Sequence, residues 1–161
     1  MKILRINIFS LLIITCLSSC TQKIYVVRHA EKEIGGIDPN LSPIGYDRAD
    51  ALKNVLMDKK IKQIFSTNTK RTIQTAAPLS NALNITVNKY EPVPDKKFLD
   101  SIQSTKKNTL IVGHSNTVDD IINGFTGEKK MKDLEDQTYN RLFIITVKGK
   151  KKTFEEKSYG N

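Results

Sequence analysis

Two apolar runs that each end in a histidine decide the fold of this chain: IYVVRH at residues 24–29 and TLIVGH at residues 109–114. Each run is short, continuous and rich in β-branched side chains, which is typical of a strand buried on both faces of a parallel sheet. His29 and His114 are the two histidines of the sequence. Because ligands bind at the carboxyl ends of parallel strands, the two imidazoles are expected to share one cleft if these strands are neighbours.

Outward from these runs, strand-like segments alternate with helix-like segments. Ser42 followed by Pro43 is typical of a helix start, since serine caps free N–H groups and proline fits the first helical position. This alternation predicts a single α/β domain of three layers, α/β/α, with a mainly parallel sheet covered on both faces. The predicted strands are 24–27, 61–66, 85–87, 109–112, 142–147 and an edge strand at 153–156. One helix is predicted to start at 43, and three others are predicted to span 69–83, 95–103 and 116–124.

Two arginines are placed to bind an anion at the same edge of the sheet. Arg28 precedes His29, and Arg71 lies near the start of the helix that follows the strand at 61–66. Guanidinium groups bind phosphate oxygens in a bidentate manner, and N–H groups at helix starts near Thr69 and Asn116 would add donors. The residues therefore predict a phosphate site, although Arg71 alone is equally consistent with a solvated helix residue.

Four segments in this order resemble the histidine phosphatase superfamily, whose fold is the phosphoglycerate-mutase-like fold. RHAEK at 28–32 resembles the Arg-His signature of that family, with alanine where glycine is common. LSPIGYDRA at 41–49 resembles its first-helix motif, and FSTNTKRTIQTA at 65–76 resembles the segment with the second phosphate-binding arginine. GHSNT at 113–117 resembles the second histidine motif. The similarity extends over residues 24–147.

The resemblance implies a role for each residue at the predicted site. His29 would be the nucleophile that becomes phosphohistidine, and Arg28, Arg71 and His114 would bind the transferring phosphoryl group. Phosphoryl transfer requires mainly positioning and charge neutralisation, which arginines and a histidine can supply without a metal or cofactor. Guanidinium charge also disfavours imidazolium, so His29 is expected to be neutral and nucleophilic. Asp119 and Asp120 lack an obvious third carboxylate, and no metal site is predicted.

Three further assignments remain open at this stage. Glu91 is the candidate general acid by its position in the chain, and a solvated loop glutamate is the alternative. Ser115, Asn116 and Thr117 would either contact phosphate or cap the helix that follows them. Glu31 lies near the nucleophile but is equally consistent with a surface salt bridge to Lys32.

The leading hypothesis is a phosphoric monoester hydrolase with a phosphohistidine intermediate. A protein phosphohistidine phosphatase is an alternative, because short connections leave little material for a lid and a protein-borne phosphate would have access. A non-catalytic binder of phosphorylated ligands is the second alternative, although a binder needs no nucleophile. A mutase is disfavoured, because reorienting an intermediate calls for more enclosure.

Residues 1–20 have the pattern of an export signal: a basic start, an apolar stretch at 6–17 and small residues before Cys20. The ending LSSC at 17–20 resembles the lipobox of bacterial lipoproteins, which implies that Cys20 carries a lipid after cleavage. An uncleaved anchor or a buried N-terminal helix is the alternative. The prediction is a leader at 1–20, a phosphatase domain at 21–161, and a membrane-anchored location in the bacterial cell envelope.

The formal net charge of +9 favours anionic partners. The basic residues are dispersed in short lysine pairs and one run at 150–152, as on an ordinary soluble surface. The expected partners are a phosphorylated small molecule or a phosphoprotein, and the membrane through the lipid anchor. Charge alone does not predict nucleic-acid binding. Both cysteines lie at or before position 20, so no disulfide is expected in the domain.

Overall fold

Buried apolar runs and amphipathic helices alternate along the chain as their periodicity predicts. The computed structural model describes residues 21–160, so the predicted leader and Cys20 lie outside the described residues. The elements are β1 (Thr21–Arg28), α1 (Pro43–Leu56), β2 (Ile61–Ser66), α2 (Lys70–Leu83), β3 (Val87–Lys89), α3 (Lys96–Thr105), β4 (Asn108–Gly113), α4 (Val118–Thr126), β5 (Arg141–Lys148) and β6 (Lys151–Ser158).

The strands form one sheet in the order β3-β2-β4-β1-β5-β6. The first four strands of that order run parallel, whereas β5 and β6 form an antiparallel pair at one side. β1 pairs directly with β4, and Arg28 lies opposite Gly113. The next residues, His29 and His114, therefore leave the sheet at the same level of the same edge.

Side chains that alternate along the central strands divide the core into two halves. Ile24, Val26 and Ile111 pack on one face of the sheet in a cluster with residues of α3 and α4. Tyr25 and Val27 face the opposite side, in a cluster with residues of α1 and α2. Helices thus cover both faces, and the predicted three-layer α/β/α architecture with a mainly parallel sheet is confirmed.

The start of α1 follows its predicted chemistry. Ser42 accepts a hydrogen bond from the Gly45 N–H at 3.2 Å, and proline occupies the first turn. Gly45 lies against the Glu31 carbonyl so closely that a Cβ there would be 2.0 Å from that oxygen. Glycine is therefore required where α1 crosses the segment that follows the nucleophile.

The third strand and α4 both begin two residues later than predicted, since β3 spans Val87–Lys89 rather than 85–87 and α4 spans Val118–Thr126 rather than 116–124. Asn84 has a left-handed φ of 51° and ends α2. The Ile85 N–H then donates to the Ser80 carbonyl at 3.0 Å, and the Ser80 hydroxyl donates back to the Ile85 carbonyl. Residue 85 thus belongs to the helix end and is not available to pair with β2.

Among residues 21–160, the longest helices have 14 residues. None of the helices in this part of the chain is long and apolar enough to cross a membrane.

Candidate active site

His29 is held rigidly at the end of β1, and its surroundings define which nitrogen is free. It is buried, with 4% of its surface exposed. Its backbone N–H donates to the Gly113 carbonyl at 2.9 Å, and its Nδ1 lies 2.8 Å from the Ala30 carbonyl. A carbonyl only accepts hydrogen bonds, so Nδ1 carries the proton. In the neutral ring the lone pair is therefore on Nε2, the atom required of a nucleophile.

His114 faces His29 across the cleft, with ring centroids 5.5 Å apart. Its Nε2 lies 2.8 Å from the hydroxyl oxygen of Thr67, and its Nδ1 lies 3.5 Å from Nη2 of Arg71. A hydroxyl can donate or accept, so Thr67 supports either tautomer of the ring. A guanidinium only donates, so the contact with Arg71 places the lone pair on Nδ1, and the Nε2–H then donates to Thr67.

Both imidazoles are neutral over the physiological pH range. Burial is the main cause that lowers the pKa of His29 to about 3, and the charges of Arg28 and Arg71 act in the same direction. The hydrogen bond to Ala30 opposes this shift. Burial and the same two arginines lower the pKa of His114 to about 4. The site therefore holds an unprotonated imidazole beside fixed positive charge.

Arg28 contacts both the site and the segment before β5. Its Nη1 donates to the backbone carbonyls of Glu135 at 3.1 Å, Asp136 at 2.8 Å and Thr138 at 3.4 Å. The guanidinium carbon lies 4.2 Å from the centre of the Tyr139 ring. Arg28 is 5% exposed, so these contacts hold a buried cation next to His29.

Arg71 approaches the cleft from the first turn of α2. Its Nη1 lies 3.6 Å from a carboxylate oxygen of Asp38, which also accepts the Lys70 N–H at the helix start. In the described part of the chain, the Nε atoms of Arg28 and Arg71 are both buried and lack a hydrogen-bond partner. Two guanidinium cations beside a neutral imidazole suit an oxyanion, whose negative charge they would neutralise.

The structure thus brings together Arg28, His29, Arg71 and His114, as the sequence indicates. It shows no such convergence for Ser115 and Asn116, whose side chains make no hydrogen bond within residues 21–160 and do not cap α4. Thr117 occupies the N-cap position, and its hydroxyl accepts from the backbone N–H of His114 at 3.2 Å. A phosphate contact from Ser115 or Asn116 stays a prediction.

Glu91, the candidate general acid, and Glu31, which follows the nucleophile in the sequence, have different surroundings. Glu91 is exposed in the loop after β3 and lines a surface cleft with Pro94 and Phe98. Its role as general acid stays a prediction without support from its contacts. Glu31 forms a salt bridge at 2.6 Å to Arg48. The salt bridge to Lys32 that the sequence suggested is therefore not the one that forms.

Several residues near the site were not singled out by sequence reasoning. The Thr67 hydroxyl bonds to His114 and to Thr72, and the Thr75 hydroxyl accepts the backbone N–H of Ala30 at 2.9 Å. These threonines are fully buried. The threonine-rich sequence after β2 was the available signal, because hydroxyls buried at a strand end need partners. Asp38 and Tyr139 had no comparable signal.

Within the described residues, no group of three or more histidine, cysteine, aspartate or glutamate side chains is arranged to hold a metal ion. Asp119 is buried at the start of α4, and burial raises the pKa of its carboxyl. The donors that converge in the cleft are cationic or neutral, and their chemistry fits an anion.

Acid is expected to destabilise the fold through the two histidines. Each has a folded-state pKa below the unfolded value of about 6.5. Between these values the unfolded chain binds more protons, so the free energy of unfolding falls as pH falls from about 6.5 towards 4. Urea unfolding of the wild type and of His29→Gln at several pH values measures this slope. A slope that is unchanged in His29→Gln contradicts the assignment to His29.

The first part of the chain resembles known phosphatases in sequence. The family model of the histidine phosphatase superfamily (branch 1) matches residues 24–93. Human 6-phosphofructo-2-kinase/fructose-2,6-bisphosphatase 4 is 40% identical over 65 residues, which are 36% of this chain and 14% of the human protein. The chain therefore spans a small part of that relative.

Solved structures match over most of the chain. The protein histidine phosphatase SixA in complex with tungstate has a TM-score of 0.69 and 16% identity, covering 84% of this chain and 96% of SixA. A phosphoglycerate mutase from Bacillus anthracis has a TM-score of 0.62 and 14% identity, covering 89% and 94%. At such identities the likeness shows the fold, which is the phosphoglycerate-mutase-like fold. The family model includes Arg28, His29 and Arg71 but covers less than half of the chain, and the solved structures show the fold alone.

Proposed function

We propose that this protein is a phosphatase that hydrolyses phosphomonoesters through a phosphohistidine intermediate on His29. One observation carries the proposal: a neutral imidazole with a free Nε2 lies beside the guanidinium groups of Arg28, which is buried, and of Arg71, which is mostly buried. A binding protein would need the donors but not the nucleophile. The combination is the one that phosphoryl transfer through a covalent intermediate requires.

The proposed reaction has two displacements at phosphorus. Nε2 of His29 attacks the phosphoryl group, the bond to the leaving oxygen breaks, and Arg28 and Arg71 neutralise charge on the equatorial oxygens. Water then attacks the phosphohistidine and releases inorganic phosphate, which restores the neutral imidazole. The Ala30 carbonyl stabilises the ring as it becomes positively charged, because it accepts from Nδ1 throughout.

We propose that this chemistry needs no metal ion. The two guanidinium groups carry the positive charge that a metal would otherwise supply to the phosphoryl oxygens. The same groups repel a cation from the cleft, since Arg28 is buried and Arg71 is mostly buried.

The direct test is hydrolysis of p-nitrophenyl phosphate by the domain from Thr21, measured in EDTA beside a His29→Ala blank. Turnover that survives chelation and disappears in the variant supports the proposal. Tungstate, the oxyanion bound in the SixA structure, should inhibit competitively if the same donors bind the phosphoryl group. Tight tungstate binding without turnover of any phosphorylated substrate would indicate a non-catalytic binder.

A protein phosphohistidine phosphatase is the second candidate function. Two observations favour it: SixA matches over 84% of this chain, and within residues 21–160 Glu91 lines a surface cleft that includes none of the four site residues. A phosphoramidate bond breaks with less demand for a strong acid than an alkyl ester bond. A phosphohistidine peptide and p-nitrophenyl phosphate, compared by kcat/KM on the same preparation, distinguish the two candidates.

We propose further that the protein is a lipoprotein held in the cell envelope through Cys20. The sequence LSSC at 17–20 supports this location. Cys20→Ser is expected to release the protein from the membrane fraction or to leave an unprocessed precursor of greater mass. The matched control is Cys16→Ser, which should fractionate as the wild type does. Unchanged fractionation and mobility of Cys20→Ser would contradict the lipoprotein assignment.

A further inference from the structure

The segment between α4 and β5 lies across the active site as a strap, defined here as residues 128–140. Its first part is tied to α4, where the Asn123 side chain accepts the N–H groups of Lys130 at 2.7 Å and Met131 at 3.0 Å. Its middle is tied to the second histidine motif, because the Leu134 N–H donates to the Ser115 carbonyl at 2.9 Å. Its last part is tied to Arg28 through three carbonyls. The strap is thus anchored on both phosphate-binding segments.

These anchors place Tyr139 beside the nucleophile. Its ring centroid lies 6.1 Å from that of His29, and its face packs on the Arg28 guanidinium at 4.2 Å. Nη2 of Arg28 donates to the Tyr139 hydroxyl oxygen at 3.5 Å. The phenol oxygen accepts this hydrogen bond through a lone pair, and the proton of the Tyr139 hydroxyl takes no part in it. In residues 21–160 no oxygen accepts that proton, so it is available to a bound substrate.

Ester hydrolysis requires a proton donor that the other groups do not supply. Neither imidazole carries a second proton near neutral pH, because burial lowers the pKa of His29 to about 3 and of His114 to about 4. The Asp38 carboxylate is engaged in an ion pair with Arg71. Glu91 is exposed and lines a different cleft. A phenol hydroxyl, in contrast, retains its proton at neutral pH.

We propose that Tyr139 donates the proton to the leaving oxygen, a step that rests on the phosphatase activity proposed above. As Nε2 of His29 forms its bond to phosphorus and the bond to the leaving oxygen breaks, the phenol proton moves to that oxygen and an alcohol departs. The phenolate that remains is stabilised by Arg28. In the second displacement the attacking water gives its proton to the phenolate, hydroxide oxygen bonds to phosphorus, and Tyr139 and His29 return to their starting states.

The test is the dependence of rate on the leaving group in Tyr139→Phe. Phenylalanine keeps the ring on Arg28, since cation–π packing needs no hydroxyl, and removes only the proton donor. Alkyl phosphates, whose alkoxides are poor leaving groups, should lose 10²–10⁴-fold in kcat/KM, the range for general acid catalysis. p-Nitrophenyl phosphate needs little protonation and should change far less. Tyr46→Phe, at an exposed tyrosine of α1, is the matched control and should behave as the wild type.

Each alternative predicts a different result. A loss of equal size for alkyl and p-nitrophenyl phosphates means that Tyr139 only positions Arg28, and this overturns the proton-donor role. Preferential loss with alkyl phosphates in Glu91→Gln but not in Tyr139→Phe assigns the acid to Glu91 and also overturns it. Thermal unfolding and tungstate binding of Tyr139→Phe establish that the variant is folded with its anion site intact. If the wild type hydrolyses no phosphomonoester, the phosphatase proposal itself has failed, which is distinguishable from both outcomes.

Discussion

His29→Ala is expected to abolish the phosphoenzyme and to lower kcat on p-nitrophenyl phosphate on the order of 10⁶-fold, the loss seen when a covalent nucleophile is removed from a hydrolase. The reason is geometric. The Ala30 carbonyl fixes the proton on Nδ1 and leaves Nε2 as the attacking atom. Water in the space left by the imidazole would be an unactivated nucleophile.

Intact-mass analysis after rapid denaturation at alkaline pH measures the intermediate, because phosphohistidine is labile to acid. The wild type should gain the mass of one phosphoryl group during turnover. His114→Asn is the informative comparison, since it weakens binding of the transferring group yet keeps the nucleophile. It should turn over slowly and still be labelled. Labelling of His29→Ala, or loss of label only in His114→Asn, would show that the second histidine is the nucleophile.

Most of the site was predictable because it depends on strand ends. Histidines after two buried runs must meet if the runs are adjacent, and the register that sets Arg28 opposite Gly113 fulfils that condition. The adjacency of β1 and β4 was itself an assumption. About 80 residues separate the two strands in the chain, and no local pattern in either segment indicates that they pair.

The contacts that could not be predicted involve backbone atoms or irregular segments. Arg28 is held by three carbonyls of the strap, and every residue has a carbonyl, so side-chain identity gives no indication of this arrangement. Tyr139 lies in a segment without periodicity, and only the folded structure shows that it lies against His29. The displaced third strand has a similar cause, since its start depends on where the left-handed Asn84 ends α2.

Two features of the site lower the stability of the free protein. Two guanidinium Nε donors are buried without partners, and two histidines are held neutral by burial. Each unsatisfied donor costs about 1–3 kcal/mol in the free protein. An oxyanion bound by the two arginines binds the folded state alone, so tungstate or phosphate is expected to raise the stability of the fold by mass action.

Arg28→Lys should lower both activity and stability, whereas Arg71→Lys should lower activity alone. Lysine keeps the charge but cannot reach the phosphoryl oxygens and three carbonyls at once, because it lacks the planar fork. We expect kcat/KM to fall about 10³–10⁵-fold, the range for an arginine that neutralises transition-state charge. Buried hydrogen bonds to a charged group contribute about 1.5–3 kcal/mol, so the free energy of unfolding in urea should fall by a similar amount.

Arg71→Lys is the matched control for this prediction. Arg71 binds no strap carbonyl, and its ion pair with the partly exposed Asp38 resembles surface pairs that contribute about 0–1 kcal/mol. It should therefore lose activity to a comparable degree while its free energy of unfolding stays close to that of the wild type. If Arg28→Lys is as stable as Arg71→Lys, the carbonyl contacts do not hold the strap. Other contacts would then position Tyr139, and Arg28 would not connect phosphate binding to the strap.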